Sequence, residues 1–213
     1  IEYYSPRRLR TVLTAVLDFA AAIPSVIYGI WGYAVLLPLV ESWSRVIERN
    51  LGFIPFIDVP SEIFGRSPFL AGLLLSLMIL PIITSVAREV YGQAPRDLVD
   101  ASYALGSTKW GAIRNVVLPF GRSGLVGGTM LGLGRALGET VAVYLLLNLV
   151  FRYNFRILES EGGNVASLIA TKFGDATPYE LKALVAAGFV LFLLTLVVNM
   201  TATTIVQRST PRA

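Results

Sequence analysis

Apolar and polar positions along the chain fall into four long apolar stretches separated by polar connections. The first runs from about 9 to 40 and is uncharged after Asp18; the others cover about 69–87, 121–151 and 183–207, the last without a charge. A hydrocarbon core about 30 Å thick is crossed by about 20 residues of helix. Each stretch is therefore a predicted membrane segment. Pro24, Gly29, Gly32 and Pro38 interrupt the first, which predicts a kinked helix or two half-helices. Pro81 lies within the second.

The connection at 92–120 has its own periodicity. Pro95 suits a first helical position and Asp97 the first turn, where the helix dipole favours an acid. Leu98, Ala101, Ser102 and Leu105 then recur at i, i+3, i+4 and i+7, and Gly106 reads as the cap. A second short helix is predicted over 108–117, with Trp110, Ile113 and Val117 on one face against Lys109 and Arg114, ending before Pro119. Two such helices carry too little apolar surface to form a core, so they must lie against something else.

Of the other connections, 41–68 contains SWSRVIERNLGF, a predicted surface helix closed by Gly52. In 152–180, GGNVASLIATKFG reads as a short Asn-capped helix ending at Gly174, with Val165, Leu168 and Ile169 on one face. It either dips into the mouth of a cavity or lies at the interface as a tether.

Composition narrows the class. The 213 residues are 54% hydrophobic and only 15% charged, with a mean hydropathy of +0.66. These values define an all-α, polytopic helical membrane protein. Cysteine and histidine are absent, which removes disulfides, thiolate or imidazole metal sites and their catalytic chemistry. The net charge of +4 has no accompanying basic-aromatic patch, so nucleic acid is not an expected partner.

Charge asymmetry predicts orientation instead. Arg7, Arg8, Arg10, Arg88, Arg96, Lys109, Arg114, Arg122, Arg208 and Arg212 lie on the side of the termini and of the connection between the second and third stretches, against Arg45, Arg49, Arg66, Arg152, Arg156, Lys172 and Lys182 on the other side. The acids sharpen the contrast, with only Glu2, Glu89, Asp97 and Asp100 on the first side. The termini and 92–120 are thus expected to be cytoplasmic. Because the chain begins at Ile1 with neither an initiator Met nor a signal-peptide pattern, upstream helices are expected to be missing.

Arg135 and Glu139 stand four residues apart within the third apolar stretch, which predicts one shared helix face. A charge near the bilayer centre costs at least about 2.5 kcal/mol, so such residues face protein or a water-filled cavity. They form either an intrahelical packing pair or the lining of a polar route, where a guanidinium fork suits an oxyanion. Gly124, Gly128 and Gly132, and again Gly134 and Gly138, recur at fours and predict close helix packing. Asp18 is expected to be a helix-end or interhelical partner in preference to a pathway residue. No GxxxxGK[ST] loop or metal-ligand cluster occurs, so neither ATP nor a metal is expected on this chain.

DASYALG, nine residues and then VVLP resemble the EAA loop of ABC importer membrane subunits. That loop has an acid-Ala-Ala start, a Gly after three more residues and an Ile-x-Leu-Pro end. The matching positions are Asp100, Ala101, Ser102, Gly106, Val116, Leu118 and Pro119, with Asp for Glu, Ser for the second Ala and Val for Ile. With IPSVIYGIWG (23–32) and GLGRALGETVAV (132–143), the resemblance extends over nearly the whole chain, to the membrane subunits of phosphate-specific ABC importers, nearer the PstC type than the PstA type.

The resemblance implies a single 1–213 domain of the type I importer (MetI-like) transmembrane core, with the last four of six helices and a cytoplasmic coupling helix. It implies a prokaryotic cell-membrane location. It also implies a second permease subunit, two copies of an ATPase that binds ATP and Mg, and an extracytoplasmic phosphate-binding protein. Arg135 and Glu139 would be the transport-critical pair. An Arg-x-Leu-Gly-Glu pattern is shared with importers of other oxyanions, so sulfate or molybdate is the alternative cargo. A non-transporting scaffold is the alternative from another class.

Overall fold

The computed structural model describes residues 5–151 and 153–209. Among the described residues every regular element is helical: α1 (Arg7–Ala22), α2 (Ser25–Trp31), α3 (Leu37–Leu51), α4 (Pro68–Gly92), α5 (Arg96–Ala104), α6 (Lys109–Ala112), α7 (Leu118–Gly138), α8 (Val141–Leu146), α9 (Val165–Lys172) and α10 (Pro178–Ser209). The start at Ile1, the charges Glu2, Arg152 and Arg212, and the side chains of Arg7 and Arg208 lie outside the described residues.

Among the described residues four helices are long and apolar enough to cross a membrane: Ser25–Leu51, Pro68–Gly92, Lys109–Gly138 and Pro178–Thr201. Their bounds correct the sequence reading in three places. The first apolar stretch divides at Pro24, which precedes α2 without a helical φ/ψ pair of its own, whereas Gly29, Gly32 and Pro38 do not break it. The helix then continues to Leu51 and is capped at Gly52, so the predicted separate surface helix is the end of this span. Likewise, the helix beginning at Lys109 runs through Pro119 to Gly138 without a stop.

Pro81 lies inside α4 without a π turn, whereas the other two prolines that fail to stop a helix share a local device. A π turn occupies Gly32–Leu36 and another Ile113–Val117; Pro38 and Pro119 each follow two residues later. Proline lacks a donor and crowds the carbonyl four residues back, whereas a π turn widens the ladder there and relieves the clash.

The chain divides into two compact units. One comprises Ile1–Ala22, Ile79–Arg135 and Thr195–Ala213. In it, α7 glycines meet α4 side chains: Gly121 faces Tyr91, Gly124 faces Val90, Gly128 faces Val86 and Gly132 faces Ile83. A Cβ on Gly128 would lie 3.0 Å from Val86 Cβ, and one on Gly132 would lie 2.9 Å from Ile83 Cδ1. Close backbone approach lets many weak dispersion contacts accumulate where lipid supplies no hydrophobic drive between helices. Gly134 and Gly138 face open space. Only the first of the two predicted glycine rows is a packing seam.

The other unit comprises Ile23–Met78 and Ala136–Leu194. Its core joins Leu36, Val40, Leu70, Leu74, Ala142 and Leu146, with Tyr28, Leu37, Phe69 and Leu73 packed around them. Gly29 and Gly32 belong to this core: their missing side chains admit Ala142 and Leu145 at the first, Leu74 and Leu146 at the second. The connections flanking α4 and α9 are joined by backbone bonds, from Ile157 N to Phe56 O (2.8 Å), Phe69 N to Ile157 O (3.0 Å) and Gly162 N to Asn148 O (3.0 Å).

Candidate functional site

The 92–120 connection forms a tight hairpin. Pro95 sits just before α5, one position earlier than its predicted place, and Asp97 occupies the first turn. After α5 the N–H groups of Gly106 and Ser107 return to Tyr103 O (2.9 Å) and Ser102 O (3.1 Å). Gly106 closes this turn at φ +84°, a left-handed conformation that a side chain disfavours. Thr108 then caps α6, its Oγ1 accepting from Gly111 N at 3.1 Å.

Two faces of the hairpin differ in burial. Ile113, Val117 and Ala94 are buried together, with Tyr91 and Val99 packed against them. Leu98, Tyr103, Leu105 and Trp110 are exposed, Leu105 at 88%. Trp110 therefore does not share the buried face of Ile113 and Val117, which corrects the predicted face. Of the other loop positions, Asp100, Ala101, Gly106, Leu118 and Pro119 are exposed; Ser102 and Val116 are half-buried.

Glu139 departs from its predicted place. Helix α7 ends at Gly138, so Glu139 lies beyond it and not on a helix face shared with Arg135. Gly138 faces open space. Glu139 N–H instead closes a turn on Ala136 O at 3.3 Å. Its side chain is buried, and its Oε1 accepts from Ala142 N at 3.4 Å in the first turn of α8. A carboxylate there satisfies an amide with no intrahelical partner.

Asn164 holds the same turn from α9. Its Nδ2 donates to Glu139 O at 2.8 Å, while its Oδ1 accepts from Ser167 N at 2.7 Å. Ser167 Oγ accepts from Asn164 N at 3.3 Å and completes the capping box. The predicted Asn cap is thus present; its reach to Glu139, 25 residues away, carried no signal in the local pattern. Arg135 lies in the last turn of α7 with its side chain exposed.

Asp18 is an interhelical partner. Its Oδ1 accepts from Ser85 Oγ at 3.4 Å and lies 3.9 Å from Arg88 Nη2. Arg88 Nη1 also donates to Thr14 Oγ1. A groove of about 700 Å³ runs beside this cluster, lined by Arg10, Thr11, Thr14, Asp18, Arg88 and Glu89 among others. The sequence reading used Arg88 only in the charge asymmetry. The same holds of Arg66, which donates to Asn148 Oδ1 at 3.2 Å and lies 4.8 Å over the Tyr33 ring. Among the described residues no group of three acidic, His or Cys side chains could hold a metal.

Residues 1–212 match the family described as binding-protein-dependent transport system inner membrane component. The chain is 45% identical over 206 residues to phosphate transport system permease protein PstC 2 of Mycobacterium bovis, covering 95% of this chain and 63% of that protein. It is 43% identical over 203 residues to PstC of Mycobacterium leprae, covering 93% and 63%. It is 36% identical over 200 residues to a probable PstC of Methanocaldococcus jannaschii, covering 92% and 62%. The chain thus spans somewhat less than two thirds of the length of these relatives. With four helices long and apolar enough to span a membrane, it is a multi-pass membrane component of a transport system and belongs to the binding-protein-dependent transport system inner membrane component family.

Proposed function

We propose that the chain is the permease subunit of an ATP-driven importer that moves inorganic phosphate across the cell membrane by alternating access. The observation that carries this reading is the α5–α6 hairpin, which exposes Leu98, Leu105 and Trp110 while Ile113 and Val117 anchor its other face. An exposed apolar surface on a fixed hairpin suits docking to a soluble partner. The names of the relatives support phosphate as cargo.

In this reading the hairpin is cytoplasmic, as are the termini, and seats in an ATPase subunit. The complex comprises two ATPase copies, which hold ATP and Mg, a second permease subunit and an extracytoplasmic phosphate-binding protein. Asp100, Ala101, Ser102, Gly106, Val116, Leu118 and Pro119 form the coupling element. The helix that starts at Lys109 continues for 30 residues to Gly138, about 45 Å at 1.5 Å per residue. A push on α6 is therefore carried along one continuous helix toward Arg135.

Arg135 and Glu139 line the route. Arg135 offers a planar fork of donors to a tetrahedral oxyanion. The Glu139 carboxylate repels a fully ionised anion but accepts a hydrogen bond from a protonated P–OH, which favours phosphate over sulfate. The test is Arg135→Ala in the assembled, reconstituted complex. Import should fall by at least tenfold with assembly intact; import at the unsubstituted rate would remove Arg135 from the route.

A further inference from the structure

Residues 153–157 alternate in an unusual sense. Tyr153, Phe155 and Ile157 are exposed, at 97%, 74% and 46%, whereas the intervening Asn154 and Arg156 are half-buried, the Arg156 side chain at 39% exposure. Asn154 Oδ1 accepts from Arg156 N at 2.8 Å, and its Nδ2 is shut off from solvent. Arg156 reaches Asp58 at 3.8 Å and the buried Glu159 at 3.5 Å. In water a half-buried extended segment places its polar residues outward. Apolar-out and polar-in is the pattern of a segment whose outer environment is itself apolar.

The neighbouring connection continues the surface. Ile157 N bonds Phe56 O, and both Phe53 and Phe56 are exposed. Phe53 lies two residues beyond Leu51, the end of one candidate span. Ile157 O accepts from Phe69 N at 3.0 Å, in the first turn of the span Pro68–Gly92. That span has 25 residues, about 37 Å against a hydrocarbon core of about 30 Å, so its first turn lies at the membrane boundary. The backbone bond fixes Ile157 at that level and places Tyr153 and Phe155 within a few residues of it, where aromatic side chains partition among lipid headgroups.

We infer that Tyr153, Phe155 and Ile157, with Phe53 and Phe56, form an interfacial anchor that sits in the headgroup layer of the lipid bilayer. The anchor is fastened to the polar interior by Arg156 and to the α4 span by Phe69. The occupant of this face is lipid, because its apolar positions are continuous with the ends of two candidate spans and Arg156, between them, is paired with Asp58 and the buried Glu159.

The 213 residues contain no cysteine, so with any cysteine elsewhere in the full-length protein replaced by serine, spin labels can be placed singly at Tyr153→Cys and Phe155→Cys. The protein would be assembled with its partners in liposomes of phosphatidylcholine and phosphatidylglycerol. Collision with dissolved oxygen and with a water-soluble nickel chelate is read on a depth scale set by spin-labelled phospholipids. Both labels should collide several-fold more with oxygen than with the chelate and report headgroup depth. Chelate-rich collision would show a water-exposed surface, and shielding from both probes would show a protein cover; either result overturns the inference. Phe155→Trp gives an independent reading, since brominated lipids should quench its added fluorescence and lack of quenching would overturn the anchor equally.

Discussion

The side-chain amide of Asn164 donates to the backbone carbonyl of Glu139 at 2.8 Å, so the residue that caps α9 also holds the turn at the end of α7. Loss of an N-cap costs about 1 kcal/mol, and loss of a further hydrogen bond about as much again. Asn164→Ala should therefore increase amide exchange across both α9 and the Glu139–Ala142 turn by at least tenfold. Asn164→Asp keeps the cap acceptor but loses the donor, so it should loosen the Glu139 turn alone. Hydrogen exchange by mass spectrometry separates the two; unchanged exchange in Asn164→Ala would break the proposed link.

The glycines of α7 make a paired prediction. Gly124→Val would drive a branched side chain into Val90, and overpacking of this kind costs about 1–3 kcal/mol. Gly127→Ala meets nothing and gains roughly 0.5–1 kcal/mol of helix propensity. Thermal unfolding in detergent should fall for the first and hold or rise for the second. The opposite order would contradict the packing seam.

At Gly106 the backbone and not the space is limiting, since nothing lies within reach of an added Cβ but φ is +84°. Gly106→Val should distort the turn between α5 and α6 at a cost of about 1–2 kcal/mol. Membrane insertion should remain normal while co-purification of the ATPase and coupled transport fall. Unsubstituted assembly and transport in this variant would count against the docking role.

Leu105→Asp and Val117→Asp should fail in different ways. Leu105 is exposed and Val117 is buried, so the first should leave the isolated chain stable but weaken ATPase capture by tenfold or more. The second buries an unpaired carboxylate and should reduce folded yield. Equal loss of yield in both would mean that Leu105 belongs to the fold.

Much of this architecture was legible because lipid imposes a length rule on apolar helices, and because Asn164 and Gly106 carry local capping chemistry. Pro119 misled because proline ordinarily ends a helix, and the π turn at Ile113–Val117 that accommodates it leaves no mark in the hydrophobic pattern. Gly132 and Gly138 look alike in sequence, yet Gly132 is held against Ile83 and Gly138 faces open space where the helix ends. The Asn164–Glu139 bond and the Asp18–Arg88 approach are long-range facts, invisible to a reading that moves one helix at a time.

The most direct measurement is uptake of labelled phosphate into proteoliposomes holding the full-length protein with its partner permease and ATPase, supplied with the binding protein and ATP. The account predicts ATP-dependent phosphate accumulation that persists under excess sulfate or molybdate. Accumulation of sulfate or molybdate in place of phosphate would contradict the cargo, and ATP hydrolysis with no solute movement would contradict the permease role itself.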